Sequence, residues 1–235
     1  MTVNLKSPQT ELAYQRLKLG LVFGHLPAGK ALRLEALQSD LSVGATPLRQ
    51  ALNKLEIERF VELRPNKGFF ATPLTVDDFA DITFSRQVIE RALLTRAIER
   101  GDDEWEARLV QSFHLLKKCK IDLNLREFEK IKKWNNRHVA FHTTLLSGSG
   151  SRSLLATYSG LFEHIQRHQM ALMMQPRDEG ENLANHGYET VETMNARTSI
   201  DDHARLMEAT LDRDCVMAAA VMEEHIQLTP RKTIS

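Results

Sequence analysis

Four histidines in the second half of the chain have the residue type and the spacing of a metal site. His138 and His142 are four residues apart in a predicted helix, which puts both imidazoles on one face together with Asn135. His203 and His225 lie in two later predicted helices. Three helices that each present an imidazole could converge on one divalent ion, because imidazole nitrogen is a common ligand of borderline metals. The alternative is that the spaced pair is a solvated helix face.

The elements that would hold these histidines form an all-helical part of the chain. From residue 75 onward, apolar residues keep a 3.6-residue period and no strand is indicated. One helix begins after Thr75 and ends at Gly101. Further helices are predicted over residues 103–120, 124–146, 152–174, 199–211 and 213–228. Residues 176–193 are polar and aperiodic, which indicates a loop, and Trp134 and Phe141 are expected in the core.

Residues 10–74 predict a different module, in the order helix, helix, turn, helix and β-hairpin. A short amphipathic helix covers residues 34–41, and Thr46 before Pro47 is typical of an N-cap followed by a helix-starting proline. Two β-prone runs flank residues 65–68, which indicates a hairpin. The apolar residues expected to face inward on the third helix are Leu48, Leu52, Leu55 and Ile57.

The two parts of the chain differ in net charge. The whole chain has no net charge, but residues 1–75 carry ten Lys and Arg against six Asp and Glu, so the remaining residues carry the balancing excess of acid. A short helix, a tight turn and a proline-started helix make a helix-turn-helix, which places Arg49 and Thr46 where bases or phosphates are reached. Lys67 at the hairpin tip would touch the backbone or the minor groove. The alternative is a three-helix packing unit with solvated charges.

These residues resemble the DNA-binding domain of the GntR family of bacterial transcription regulators. The resemblance lies in LSVGATPLRQALNKL over residues 41–55, ERFV over residues 58–61 and PNKG over residues 65–68. It departs from the family pattern at Gly44 and Ala45, where Ser and Arg are usual, and at Gln50, where Glu is common. The DNA-binding residues that the resemblance implies are Thr46, Arg49, Lys67 and Gly68, with Arg33 as a further phosphate contact.

Residues 76–229 resemble the FCD domain, the helical ligand-binding domain of the FadR subfamily of these regulators. The resemblance lies in HVAFH over residues 138–142, SGSGS over residues 147–151, DHARLMEATLDRD over residues 202–214 and the closing stretch around Met222 and His225. Many such domains hold a metal with one Asp and three His, and His138 stands at the Asp position. The implied ligands are His138, His142, His203 and His225, an all-nitrogen set that suits zinc or nickel.

The resemblance also implies effector contacts. Arg86 and Glu90 match a family motif on the first helix of the domain, where an arginine often faces the effector. Arg167 is a second cation that could clamp a carboxylate in a bidentate manner. The alternative is that Arg86 and Glu90 form a surface ion pair one helical turn apart. The flanking His164 and His168 are expected at the pocket wall or the surface.

The sequence therefore predicts a mainly α protein: a winged helix-turn-helix domain over residues 1–75 and an all-helical effector-binding and dimerisation domain over residues 76–235. We expect a homodimeric regulator, not an enzyme, that binds a pseudo-palindromic operator and senses a small organic acid, a carboxylate or dicarboxylate. Two cysteines, no secretory signal and no long apolar run indicate the cytoplasm and no membrane partner. The alternatives are a metal-sensing repressor and a metal-dependent enzyme.

Overall fold

The computed structural model describes residues 8–121, 127–174 and 199–227. The chain divides into two compact units. The first, here called the head unit, contains the residues up to Asp78 together with Glu163–Ala171. The second, here called the helical unit, contains Phe79–Phe162 and the residues from Leu172 onward. The boundary at residue 75 predicted from the sequence stays a prediction.

The head unit is a three-helix bundle with a two-stranded hairpin. Its helix α1 packs against α3, which also contacts α2 and the first strand. The buried side of α3 consists of leucines and one alanine, so the helix-turn-helix rests on an apolar core. The elements are α1 (Pro8–Val22), α2 (Leu34–Leu41), α3 (Ala45–Ile57), β1 (Val61–Arg64) and β2 (Gly68–Ala71).

The start of α3 differs from the predicted one. Gly44, in an extended conformation, is the N-cap, and the helix begins at Ala45, so Thr46 is a helical residue and not the cap. The preceding turn is made by Ser42, whose left-handed backbone (φ 53°) closes α2. Ile57 was expected to face inward, but it is 84% exposed. Its position at the last residue of α3 leaves it beyond the apolar side of that helix.

The hairpin occurs where the sequence predicts it. Strands β1 and β2 pair antiparallel from Val61 opposite Ala71 to Arg64 opposite Gly68. Residues 65–67 form the turn, and Asn66 and Gly68 both have positive φ, which these two residue types adopt more readily than most others. The sequence did not predict a further extended segment beside β2, in which the Leu32 N–H donates to the Phe69 carbonyl.

The helical unit has no strand among its described residues. Helix α5 packs on α6 and α8, and α8 packs on α9. The predicted helices are confirmed to within a few residues, except that α6 begins four residues later than predicted. The elements are α4 (Val76–Arg100), α5 (Asp103–Lys117), α6 (Phe128–Ser147), α7 (Arg152–Met174), α8 (Ile200–Leu211) and α9 (Cys215–Gln227).

The core of this unit centres on Trp105, which is 1% exposed and donates its indole N–H to the Thr144 carbonyl at 2.8 Å. Trp134 and Phe141 are both buried, as the sequence predicts. The loop predicted over residues 176–193 lies outside the described residues. None of the helices in the described ranges is long and apolar enough to cross a bilayer.

Candidate metal centre and DNA interface

The structure brings the four predicted histidines of the helical unit together. His138 and His142 come from α6, His203 from α8 and His225 from α9, and all four are buried. Each offers one ring nitrogen, and these nitrogens lie within 4.8 Å of one another. Nitrogens bound tetrahedrally to one zinc ion at about 2.1 Å are roughly 3.4 Å apart, so an inward movement of the rings would close the set around an ion.

Packing of α6 explains why two of these rings point inward. Its buried side carries both histidines among apolar residues, and the exposed side carries charged residues such as Glu129, Lys130 and Lys133. The indole of Trp134 stacks on the His138 ring with centroids 4.6 Å apart. This contact restricts the ring, so its orientation is set before any ligand binds.

His203 is oriented by its own helix. Its Nδ1 lies 2.7 Å from the Ser199 carbonyl, a group that can only accept, so Nδ1 carries the proton. The Nε2 atom therefore keeps its lone pair, and it is buried without a hydrogen-bond partner among the described residues. A histidine that donates one N–H to a backbone carbonyl and presents the other nitrogen inward is typical of metal sites.

Burial favours the neutral form of His142 and His203. Burial lowers the pKa of His142 well below its usual value, and the neighbouring His138 and His225 lower it further. Burial also lowers the pKa of His203, although the Ser199 carbonyl opposes that change. The Nε2 atoms of His138 and His142 are 3.1 Å apart. Neutral imidazoles with converging nitrogens are the form that binds a cation, since a protonated ring has no lone pair to give.

Arg86 and Glu90 form a buried ion pair in the same unit. The alternative interpretation of the sequence, an ion pair on the surface of the helix, is therefore wrong. The Arg86 Nε donates to Glu90 Oε1 at 2.5 Å, and the two side chains are 6% and 0% exposed. The guanidinium also lies over the Phe162 ring, 5.1 Å from its centroid. The Phe162 ring is in turn 6.1 Å from the rings of His138 and His142. Arg86 is therefore part of the surroundings of the histidine cluster.

Several further polar atoms near Arg86 are buried and have no hydrogen-bond partner within the described part of the chain. They are Thr83 Oγ1 and Glu90 Oε2 on the same helix and Tyr158 Oη, and Asn135 Oδ1 on α6 is unpartnered as well. Sequence reasoning did not assign Thr83 or Tyr158 any role. The spacing of Thr83, Arg86 and Glu90 on one face of α4 was the available signal, but only the structure shows that this face is buried.

The predicted DNA-binding residues of the head unit are all exposed. Thr46 and Arg49 lie in the first two turns of α3, and Arg33 is the N-cap of α2. Lys67 and Gly68 lie at the end of the hairpin turn. The first N–H groups of α3 have no partner within the helix, so its N-terminus favours a phosphate. This surface can place a helix N-terminus and a hairpin against a duplex.

Arg167, the second predicted effector residue, belongs to the head unit. Its Nη2 donates to the Thr72 carbonyl at 2.6 Å, and burial lowers its pKa to about 10, so it stays charged at neutral pH. The nearby His164 stacks on Phe60 with centroids 4.2 Å apart, and its Nε2 lies 2.8 Å from the Glu58 carbonyl. These contacts hold the second half of α7 in the head unit, and the effector role of Arg167 remains a prediction.

Comparison with protein families matches both parts of the chain. The family model "Bacterial regulatory proteins, gntR family" matches residues 9–71, and the FCD domain model matches residues 81–228. The HTH-type transcriptional repressor GlaR of Escherichia coli K12 is 31% identical over 92% of this chain and 91% of its own length. A regulator of Paraburkholderia xenovorans LB400, BphR, is 28% identical over 92% of this chain and 82% of its own.

Solved structures share the fold. McbR/YncC of E. coli has a TM-score of 0.69 at 19% identity and covers 93% of both chains. A GntR-type regulator from Rhodococcus sp. RHA1 has a TM-score of 0.65 at 16% identity and covers 94% of both chains. A winged helix-turn-helix followed along the chain by a helical domain therefore occurs in solved structures.

Proposed function

The chain belongs to the GntR family of bacterial transcriptional regulators and carries an FCD domain, and from that premise we propose that it is a repressor controlled by a small organic acid. The acid is a carboxylate or dicarboxylate, and it binds beside a divalent metal ion held by His138, His142, His203 and His225. The observation that carries the proposal is the convergence of four buried ring nitrogens within 4.8 Å. The name of GlaR supports the repressor role.

The head unit binds operator DNA in this proposal. Arg49, exposed at the start of α3, reaches base edges or phosphates in the major groove. Thr46 and the free N–H groups of the same helix turn bind phosphate, and Lys67 reaches the backbone beside the hairpin. A DNA-binding role implies the cytoplasm of a bacterium. The two heads of a dimer would read two half-sites of a pseudo-palindrome.

The histidines fit a metal in their donor set and in their protonation. His203 presents an unprotonated Nε2 inward, and burial keeps His142 neutral. An all-imidazole set suits zinc or nickel better than magnesium or calcium. A bound ion would supply positive charge and an electrophilic position for a carboxylate oxygen. Because His138 replaces a carboxylate of the family pattern, the protein ligands bring no negative charge to offset the ion.

Arg86 is the protein group that would receive the second anionic end of the effector. It is buried, lies over Phe162, and its positive charge contributes to the low pKa of His142. Glu90 already accepts the Nε–H of Arg86, so the rest of the planar guanidinium is the part that can face a ligand. The pair fixes the guanidinium, and a fixed guanidinium binds a carboxylate with less loss of side-chain entropy.

Two exposed apolar residues of α4 support a homodimer. Phe84 and Val88 are 65% and 57% exposed and are one helical turn apart, so they form an apolar patch on the helical unit. A second copy of the chain would cover this patch. Effector binding then changes DNA affinity only if the acid binds the two arrangements of the dimer with different affinity.

A metal-sensing repressor is the second candidate. Four protein nitrogens would complete a tetrahedral zinc site and leave no open position for an acid, whereas a six-coordinate ion such as nickel would keep room for one, as the acid-sensing proposal requires. Both family models and the named relatives are regulators, so the enzyme alternative is dropped.

Operator binding measured by gel shift separates the two candidates. The protein is purified, its metal content is measured, and DNA is then titrated with and without chelator and with added dicarboxylates. The acid-sensing proposal predicts that a dicarboxylate changes the DNA affinity of the metal-loaded protein. A response to chelation alone, with none to any acid, would support the metal sensor instead.

A further inference from the structure

The exposed face of α3 is wider than the residues that the sequence predicts for DNA contact. At about 100° per residue, the exposed positions of its first three turns lie within an arc of about 140°, and the buried leucines lie outside that arc. None of these exposed side chains is acidic, so phosphates would not repel this face. The exposed positions are Ala45, Thr46, Arg49, Gln50 and Asn53.

One side chain of this face, that of Gln50, is held by another helix. The Thr10 hydroxyl of α1 donates to Gln50 Oε1 at 2.9 Å. Thr10 is only 7% exposed and α1 packs against α3, so the carbonyl oxygen of Gln50 is turned toward the protein. The Gln50 side chain is otherwise exposed, and its amide N–H groups donate to no group in the described part of the chain. These donors are left for a partner outside the head unit.

Further contacts between α1 and α3 fix this part of the head unit. Lys54, one helical turn after Gln50, places its Nζ over the Tyr14 ring, 3.2 Å from the centroid. The same Nζ lies 3.8 Å from the carboxylate of Glu11, the residue next to Thr10. Thr10 and Gln50 are therefore set between two helices whose contact continues beside them. A side chain that is already oriented loses less entropy when it binds than a free one does.

The orientation of the amide decides which bases it can match. A free glutamine binds adenine in a bidentate manner, because it donates to N7 and accepts from the N6 amino group. Gln50 has its acceptor oxygen bonded to Thr10, so it presents only donors outward. Guanine N7 and O6 and thymine O4 are acceptors in the major groove, whereas the amino groups of adenine and cytosine require an acceptor from the protein. An oriented Gln50 therefore favours guanine or thymine.

We propose that Gln50 is a specificity-determining residue of the operator contact and that Thr10 is its positioning residue. Gln50 donates to a guanine or a thymine in the major groove, and Thr10 keeps the carbonyl oxygen of Gln50 away from the bases. This inference rests on the proposed function, because it requires α3 to enter the major groove. It adds a base that the protein selects and a hydroxyl on another helix that sets the choice.

Selection from a randomised duplex pool tests this with the full-length protein, and it does not require a known operator. The wild type and each variant select from the same pool, and the bound sequences are compared position by position. Gln50→Ala should lose the preference at one position of each half-site and keep it elsewhere, which locates the base that Gln50 contacts. At that position the wild type should prefer guanine or thymine by about three- to tenfold, the range expected for one hydrogen bond.

Three variants change the chemistry of this contact in different directions. Thr10→Val removes the hydroxyl, so the freed amide can both donate and accept, and the preference should shift toward adenine. Thr10→Ser keeps a hydroxyl and should keep the preference of the wild type. Gln50→Glu presents only acceptors, so its preference should shift toward cytosine. The matched control is Gln15→Ala, because Gln15 is an exposed glutamine of α1 whose amide donates to Glu11 of its own helix.

The outcomes separate this proposal from the proposed function. If the bond between Thr10 and Gln50 only stabilises the head unit, Thr10→Val should lower the melting temperature and leave every base preference unchanged, and the proposal is overturned. A wild type that selects adenine at the position of Gln50, or a Gln50→Ala variant that keeps all preferences, would also overturn it, while operator binding through α3 would stand. If the wild type selects no sequence, the operator-binding part of the proposed function fails, and this proposal fails with it.

Discussion

At the scale of single residues, Arg49 is the most direct test of the DNA surface. It is exposed in the second turn of α3, where a recognition helix contacts base edges. Arg49→Ala should weaken operator binding by about 1–3 kcal/mol if it makes a bidentate base contact. Gel shift at fixed salt measures the change.

Lys67→Ala provides the comparison for that experiment. A phosphate contact carries no sequence information, so this variant should weaken operator and random DNA alike and lower the salt slope by about one. An Arg49→Ala protein that binds its operator as tightly as the wild type would remove Arg49 from the interface.

His168 is expected to make the stability of the head unit fall at acid pH. Burial lowers its pKa to about 4, and the adjacent Arg167 contributes to that shift. The unfolded chain takes up the proton near pH 6.5 and the folded chain only near the lower value, so stability falls as pH drops through this window. The expected slope is at most about 1.4 kcal/mol per pH unit.

Urea denaturation between pH 4 and 7 measures that slope. His168→Gln should flatten the dependence relative to the wild type, because the variant has no proton to take up at this position. The matched control is His114→Gln, since His114 is exposed on α5. If the stability of His168→Gln changes with pH as steeply as that of the wild type, the pH dependence does not come from His168.

At the scale of elements, the contact between α5 and the end of α6 depends on a glycine. A Cβ added at Gly148 would lie 2.7 Å from the indole of Trp105, which is closer than such atoms approach in folded proteins. Trp105 cannot move freely, because its indole N–H is bonded to Thr144 and the ring is buried. Gly148→Ala should therefore destabilise the protein by about 1–3 kcal/mol.

Gly160 of α7 is the matched control. No atom lies within 4 Å of a Cβ added there, and its backbone is helical. Gly160→Ala should stabilise the protein by about 0.5–1 kcal/mol, because alanine loses less backbone entropy on folding. Thermal denaturation of both variants compares the effects, and an unchanged melting temperature for Gly148→Ala would show that α5 and α6 adjust without cost.

Helical periodicity predicted nearly all of the described helices, because their apolar residues recur every three to four positions. Glycine and proline residues indicated where helices begin or end. It could not predict burial of charged groups. Arg86 and Glu90 have the same spacing whether they lie on the surface or inside, and only packing of α4 against Phe162 and Tyr158 decides between the two. The inclusion of Glu163–Ala171 in the head unit also depends on tertiary contacts that leave no local pattern.

The four histidines show what spacing can and cannot establish. The pair on α6 must share a face, because the helix repeat requires it. For His203 and His225 the predicted helices only allowed convergence, and the resemblance made them the implied ligands, since nothing in the local sequence fixes how α8 and α9 approach α6. The proton position on His203 likewise depends on the Ser199 carbonyl at 2.7 Å, a contact that only coordinates reveal.

At the scale of the whole molecule, the proposed dimer predicts a change of mass. Phe84→Glu places a charge in the apolar patch of α4, and a charge buried against a second copy is destabilising. The full-length variant should elute as a monomer at micromolar concentration, while the wild type elutes as a dimer. Ile57→Glu is the control, because Ile57 is also an exposed apolar residue (84% exposed) but lies in the head unit. A monomeric wild type would contradict the proposal.

The central claim is that one histidine cluster serves both the metal and the effector, and calorimetric titration with a dicarboxylate tests it most directly. Three preparations are compared: the wild type as purified, the metal-stripped wild type and His203→Ala. The control is His114→Ala, which also removes one histidine but lies outside the cluster. The account predicts that the wild type and the control bind the acid, that stripping weakens binding at least about tenfold, and that His203→Ala matches the stripped protein. Equal affinity in all preparations would contradict it and leave the histidines as buried core residues.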